Sequence, residues 1–147
     1  GEILASRGQS ARAIEHYRRA LVKRPAYPDA HSNWGLELAL AGNTDEAIEH
    51  YRDALAIRPD FANAEINWGN ALVQRELYDE AIAHYARAAE IDPSHYGAHL
   101  NWGAVLAQQG KLAEAVTHFE QAVNINPFAA DAREYLNRAR QELRSRR

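Results

Sequence analysis

Seven histidines stand in a chain that has no cysteine, and four of them, His16, His50, His84 and His118, recur every 34 residues. Imidazole binds metals and carries protons near neutral pH. An ion shared along this series is excluded by distance. Equivalent residues of neighbouring packed units lie about 8–10 Å apart, whereas ligands about 2 Å from one ion must lie far closer together. Each of the four precedes an aromatic residue and is expected on the outer, convex face. His95 and His99 have the i, i+4 spacing of zinc-binding helices, but no carboxylate completes the motif. Paired acids such as Asp79-Glu80 fall where a helix begins, and negative charge there complements the helix dipole. No phosphate-binding glycine loop, nucleophile elbow or acid–base pair is present. No catalytic residue, metal ligand or cofactor is therefore expected, and the chain reads as a non-enzyme.

The elements that position these residues are set by a repeat. Prolines 25, 59, 93 and 127 are spaced by 34, as are Trp34, Trp68 and Trp102, each within Asn-Trp-Gly. The same interval relates Ala13, Ala47, Ala81 and Ala115, then Tyr17, Tyr51, Tyr85 and Phe119, then Ala20, Ala54, Ala88 and Ala122. A fixed period of this length marks a stacked-repeat architecture. Within a unit the apolar residues step by three and four, the period of an amphipathic helix. Trp34, Leu38 and Ala41 form one stripe; Ala47, Ile48, Tyr51, Ala54 and Leu55 form a second. Between the stripes, Gly42 suits a left-handed helix end and Thr44 a helix cap. Proline ends each second helix, because it lacks the amide hydrogen and restrains the residue before it.

The expected layout is helices at 1–7 and 11–24, then pairs at 28–41 and 45–58, 62–75 and 79–92, 96–109 and 113–126, and a last helix at 130–145. Units are thus a partial one at 1–27, whole ones at 28–61, 62–95 and 96–129, and a capping helix within 130–147, all in one domain. Gly35, Gly69 and Gly103 lie mid-helix, where glycine costs about 1 kcal/mol relative to alanine. Close approach of a partner helix at Ala47, Ala81 or Ala115 is the expected compensation. The tryptophans are expected to be buried between pairs, so that truncation to alanine costs about 3–5 kcal/mol.

Bulk properties agree. The 147 residues are 46% hydrophobic and 25% charged, ordinary for a soluble domain with a core, and no apolar run approaches the roughly 18–20 residues of a membrane span. Residues 1–28 carry +4, residues 29–132 carry −11 and residues 133–147 carry +4. A net charge of −3 without a continuous basic face argues against nucleic acid as a partner. Lacking cysteine, the chain has no disulfide framework, though this leaves the compartment open; the cytoplasm is expected. Lacking methionine and opening on Gly1, it reads as a piece of a longer protein.

The ordered set of aromatic or leucine, glycine, alanine, aromatic, alanine and proline resembles the tetratricopeptide repeat over nearly the whole chain, from Gly1 to at least Pro127. The resemblance implies an all-α, right-handed superhelical solenoid of antiparallel helix pairs, whose first helices line a concave groove that binds a peptide or protein. Glu76 departs from the pattern where Gly42 and Gly110 stand, and Asn137 takes the register of Gly35, Gly69 and Gly103. Carried onto this sequence, the groove positions are Ser32, Asn33, Leu36 and Leu40; Asn63, Ile66, Asn67, Asn70 and Gln74; Leu100, Asn101, Ala104 and Gln108; then Tyr135 and Arg138. The polar members, Asn33, Asn67, Asn70, Gln74, Asn101, Gln108, Tyr135 and Arg138, are the candidate ligand-binding residues.

The ladder of Asn33, Asn67 and Asn101 is similar to one in the repeat superhelix of O-linked N-acetylglucosamine transferase and its bacterial relatives. An amide both donates and accepts, so such a ladder suits a peptide backbone of any sequence. The leading reading is a scaffold for a protein or peptide partner. One alternative is the substrate-recognition segment of a larger glycosyltransferase of that kind. Another is self-assembly, through apolar surface near Leu4 and Ile14 that the truncated first unit leaves uncovered. The groove lacks the lysines and arginines that grip acidic chaperone tails, so weak binding of such tails is expected.

Overall fold

The computed structural model describes residues 2–146, and side chains from residue 8 onward. The chain forms helices α1 (Glu2–Lys23), α2 (Pro28–Leu40), α3 (Thr44–Ile57), α4 (Ala62–Gln74), α5 (Tyr78–Ile91), α6 (Tyr96–Gln108), α7 (Leu112–Ile125) and α8 (Ala130–Ser145), with no strand among the described residues. The pairs α2–α3, α4–α5 and α6–α7 fall within two residues of the expected bounds, and each second helix ends just before its proline. This is an all-α solenoid of antiparallel helix pairs.

One boundary differs. A break between residues 7 and 11 was expected, but α1 runs unbroken through Gly8. A helix of some seven residues is too short to sustain itself, and continuing the helical hydrogen bonds through Gly8 is the better outcome.

Each pair is locked by an aromatic ring seated on a glycine. A methyl group on Gly35 would lie 2.6 Å from Tyr51 Cε1, one on Gly69 would lie 2.6 Å from Tyr85 Cε1, and one on Gly103 would lie 2.7 Å from Phe119 Cε1. The expected alanines contribute less, through the backbone oxygens of Ala47 and Ala115 at 3.0 and 3.2 Å from the same points on Gly35 and Gly103. The rings are buried, and their contact offsets the conformational cost of the mid-helix glycines. Around them lie three successive cores: Leu38, Ala47 and Tyr51; Leu72, Ala81, Tyr85 and Ala98; and Leu106, Phe119, Ala132 and Leu136.

The tryptophans are partly rather than fully buried. Trp68 and Trp102 each pack against two successive cores, as expected of residues between pairs. Each tryptophan also stacks on the histidine of its own pair: Trp34 on His50 at 4.2 Å, Trp68 on His84 at 4.3 Å and Trp102 on His118 at 3.9 Å between ring centroids. These three histidines, carried by the second helices, are therefore packing residues; His16, without a tryptophan partner in its unit, is exposed. Burial pushes the His118 imidazolium down to about 4, with His99 adding to the effect.

The turns within pairs require a left-handed residue, supplied by Gly42 at φ 86° and Gly110 at φ 77°. Glu76 takes the same conformation at φ 61°, with the same closing bonds: Leu77 N–H to the Leu72 carbonyl at 3.0 Å, as Asn43 N–H bonds that of Leu38 at 2.8 Å. The turn geometry is thus kept without the glycine. Thr44 does not cap α3; it is the first helical residue, and its hydroxyl donates to Gln74 of the next unit at 3.2 Å.

Two stability predictions follow from these contacts. Glu76→Gly should stabilise the chain by about 1 kcal/mol in chemical denaturation, since a side chain in this conformation costs about 1–2 kcal/mol. The Tyr85 hydroxyl donates to Asn70 Oδ1 at 2.7 Å, whereas the buried Tyr51 hydroxyl has no protein partner, Leu36 standing where Asn70 does one unit on. Tyr85→Phe should therefore cost about 1 kcal/mol, and Tyr51→Phe should be neutral or stabilising; equal losses in the two variants would refute this assignment.

Candidate functional site

The solenoid's curvature decides which side chains face a partner. First helices touch each other across units, α2 with α4, α4 with α6 and α6 with α8. Among the described residues no such contact joins α3 to α5 or α5 to α7. The first helices are thus drawn together on the inner side and the second helices splay outward, so α2, α4, α6 and α8 form a continuous inner wall.

Crowding along this wall removes three expected groove residues from it. Ser32, Ile66 and Leu100 are buried, each lying in the seam between neighbouring first helices. Ser32 instead accepts a bond from Asn67 Nδ2 at 3.4 Å. Exposed on the wall are Asn33, Leu36, Leu40, Asn63, Asn70, Gln74, Ala104, Gln108, Tyr135 and Arg138, with Asn67 and Asn101 half-exposed.

The amides differ in what they leave available. Asn70 Oδ1 accepts from both the Tyr85 hydroxyl and Asn101 Nδ2, the latter at 3.0 Å. That network orients both side chains, so Asn70 turns its amino group, and Asn101 its carbonyl oxygen, toward the open wall. Asn33 makes no side-chain hydrogen bond to the described residues. Gln74 and Gln108 are occupied differently. They reach back one unit, Gln74 to Thr44 and Gln108 to the Tyr78 hydroxyl at 2.7 Å. Beside them Arg75 pairs with Asp45, and Gln109 donates to Asp79 at 3.0 Å. These two glutamines act as ties between units, and the recurring separation of 30 residues was available in the sequence as their signal.

Toward the C-terminal end the wall deepens into a cavity of about 320 Å³ bounded by Ala104, Ala107, Phe119, Tyr135, Arg138 and Glu142. Tyr135, at 40% exposure, leans its ring on Phe119 with centroids 5.7 Å apart. Helix α8 therefore shapes a pocket lined by apolar residues together with the charged Arg138 and Glu142. Tyr135 and Arg138 are brought together here, far from Asn33.

A buried ionic cluster escaped the sequence reading. Glu65, 6% exposed, meets His84 Nδ1 at 2.6 Å and the Arg87 guanidinium at 3.3 Å. It joins the two helices of its pair away from the wall. At the other end, Ile14 packs against the first core instead of standing uncovered; Leu4, named with it, lies outside the described side chains.

Comparison with known proteins agrees with this architecture. Models of the tetratricopeptide repeat match residues 28–61 and 66–130, and a TPR repeat model matches residues 1–40. No curated protein sequence matches the chain. Among solved structures, the first TPR of Spaghetti (RPAP3), bound to the HSP90 peptide SRMEEVD, superposes with a TM-score of 0.75 at 22% identity, over 79% of this chain and 92% of that one. MamA superposes with a TM-score of 0.78 at 21% identity, over 96% and 77% of the two chains. Pseudomonas aeruginosa pilF gives 0.86 at 26% identity, over 95% of this chain but 64% of its own. With its 34-residue units, its ring-on-glycine helix pairs and these matches along its length, the chain belongs to the tetratricopeptide repeat family.

Proposed function

We propose that this chain is a protein-interaction module that holds an extended segment of a partner along the wall of α2, α4, α6 and α8. The observation that carries the reading is the fixed orientation of Asn70 and Asn101, whose remaining donor and acceptor face open space on a wall that ends in the Tyr135–Arg138 pocket. Neighbouring first helices lie about 8–10 Å apart and an extended chain advances about 3.3 Å per residue. The amides can then meet the backbone of roughly every third partner residue, while the pocket accepts one apolar side chain against Phe119 and Tyr135. The work of such a wall is positioning.

The Spaghetti domain's peptide, SRMEEVD, supports a peptide as the ligand class but not the same sequence. Arg138 is the one basic side chain among the wall positions named above, and Asn33, Asn67 and Asn101 are neutral. Acidic middle segments of the chain add repulsion. Titration of SRMEEVD into the full chain should therefore show binding weaker than micromolar, and a micromolar dissociation constant would contradict this account of the wall.

The functional test is recovery of partners from an extract of the source cells, with the intact chain as bait. Changing Asn33, Asn67 and Asn101 together to alanine removes hydrogen bonds worth about 1 kcal/mol each and should weaken capture roughly 100-fold. Tyr135→Ala combined with Arg138→Ala should do the same through the pocket. Undiminished recovery by both variants, with the helical content intact, would remove the wall from the account.

A further inference from the structure

The first complete helix pair carries a side-chain cluster that the wall does not use. His31 Nδ1 on α2 lies 3.2 Å from His50 Nδ1 on α3 and 3.7 Å from Asp53 Oδ2. One ligand atom from each of the three residues falls within 4.8 Å of the others. Donor atoms around a single zinc ion, bound at about 2.0–2.1 Å, are about 3.0–3.5 Å apart, so two of the three are already at coordinating separation. Asp53, with its side chain 58% exposed, has the rotamer freedom to draw its carboxylate in from these separations toward the two imidazoles.

The surroundings prepare the nitrogens as ligands. His31 Nε2 lies 3.2 Å from the Pro25 carbonyl oxygen. A proton held there leaves the Nδ1 lone pair facing the cluster, the carbonyl–imidazole relay that commonly orients metal-binding histidines. His50 is held in place by its stack on Trp34.

Later units provide internal contrasts. The positions of His31, His50 and Asp53 are occupied by Glu65, His84 and Arg87 in the next unit, and by His99, His118 and Gln121 in the one after. Arg87 sets a guanidinium nitrogen 2.7 Å from His84 Nδ1, which repels a cation. His99 and His118 keep their Nδ1 atoms 3.4 Å apart, but the third donor is an amide in place of a carboxylate. Only the first complete pair combines two imidazoles with a carboxylate.

We propose that His31, His50 and Asp53 form a site for a divalent first-row transition-metal ion such as zinc, with water completing the coordination. Two neutral imidazoles and one carboxylate suit zinc, cobalt or nickel better than calcium or magnesium, which prefer oxygen. Bridging α2 and α3, the ion would brace the pair beside the N-terminal end of the wall. The relevant spacing is the 19 residues between His31 and His50, within one pair, and the distance argument against histidines 34 apart does not reach it.

The test is titration of the full chain with zinc by calorimetry and with cobalt(II) by its visible ligand-field absorption. The native chain should take one ion. Asp53→Arg, which copies Arg87, and His31→Gln should each weaken binding about 100-fold, with helical content checked by circular dichroism. Gln121→Asp, which completes the donor set in the fourth unit, should raise the stoichiometry toward two. No uptake by the native chain, or one ion bound with unchanged affinity in all three variants, would overturn the assignment.

Discussion

The architecture depends on one contact made three times, an aromatic ring from a second helix pressed against a glycine of the first. Because nothing but hydrogen fits between Gly69 and Tyr85, the two helices can approach closely. The unit so formed presents one side of its first helix to the next unit. Alanines at 64, 98 and 132 are fully buried there, and they keep the units close enough for first helices to touch. Curvature, and with it the inner wall, follows from that difference between tightly joined first helices and splayed second ones.

Polar contacts adjust this frame and do not create it. The ties made by Gln74, Arg75, Gln108 and Gln109 hold the start of one unit's second helix to the end of the next unit's first helix. They are largely exposed, so each adds little stability, but together they fix register. The Glu65–His84–Arg87 cluster does the same inside one pair. Burial of such a carboxylate is tolerable because its charge is met by hydrogen bonds from both sides.

Periodicity made the fold legible. Residues repeating at 34 located the three whole helix pairs, the glycine register and the last helix to within two residues. What could not be read was where local and tertiary effects compete. The break near Gly8 was expected, yet a first helix of some seven residues is too short to hold by itself, and α1 runs on through the glycine. Glu76 looked like a departure, yet the closing backbone bonds from Glu76 to Val73 and from Leu77 to Leu72 hold it in the glycine conformation. In the wall, Asn70 and Asn101 were placed on the open side, but the seam that swallows Ser32, Ile66 and Leu100 depends on inter-unit distance, which composition does not encode. The histidine stacks on tryptophan, and the His31–His50 approach, were hidden for a simpler reason: comparison across units compared the wrong partners.

That one inner wall receives a partner is tested most directly by site-specific photo-crosslinking. A photoreactive amino acid placed at Leu36 or Ala104, both exposed on the wall, should capture partner protein on irradiation in cell extract. The same group at Ala83 or Thr117, exposed on the splayed second helices, should capture little. Strong adducts from Ala83 and Thr117, with none from Leu36 and Ala104, would contradict the account.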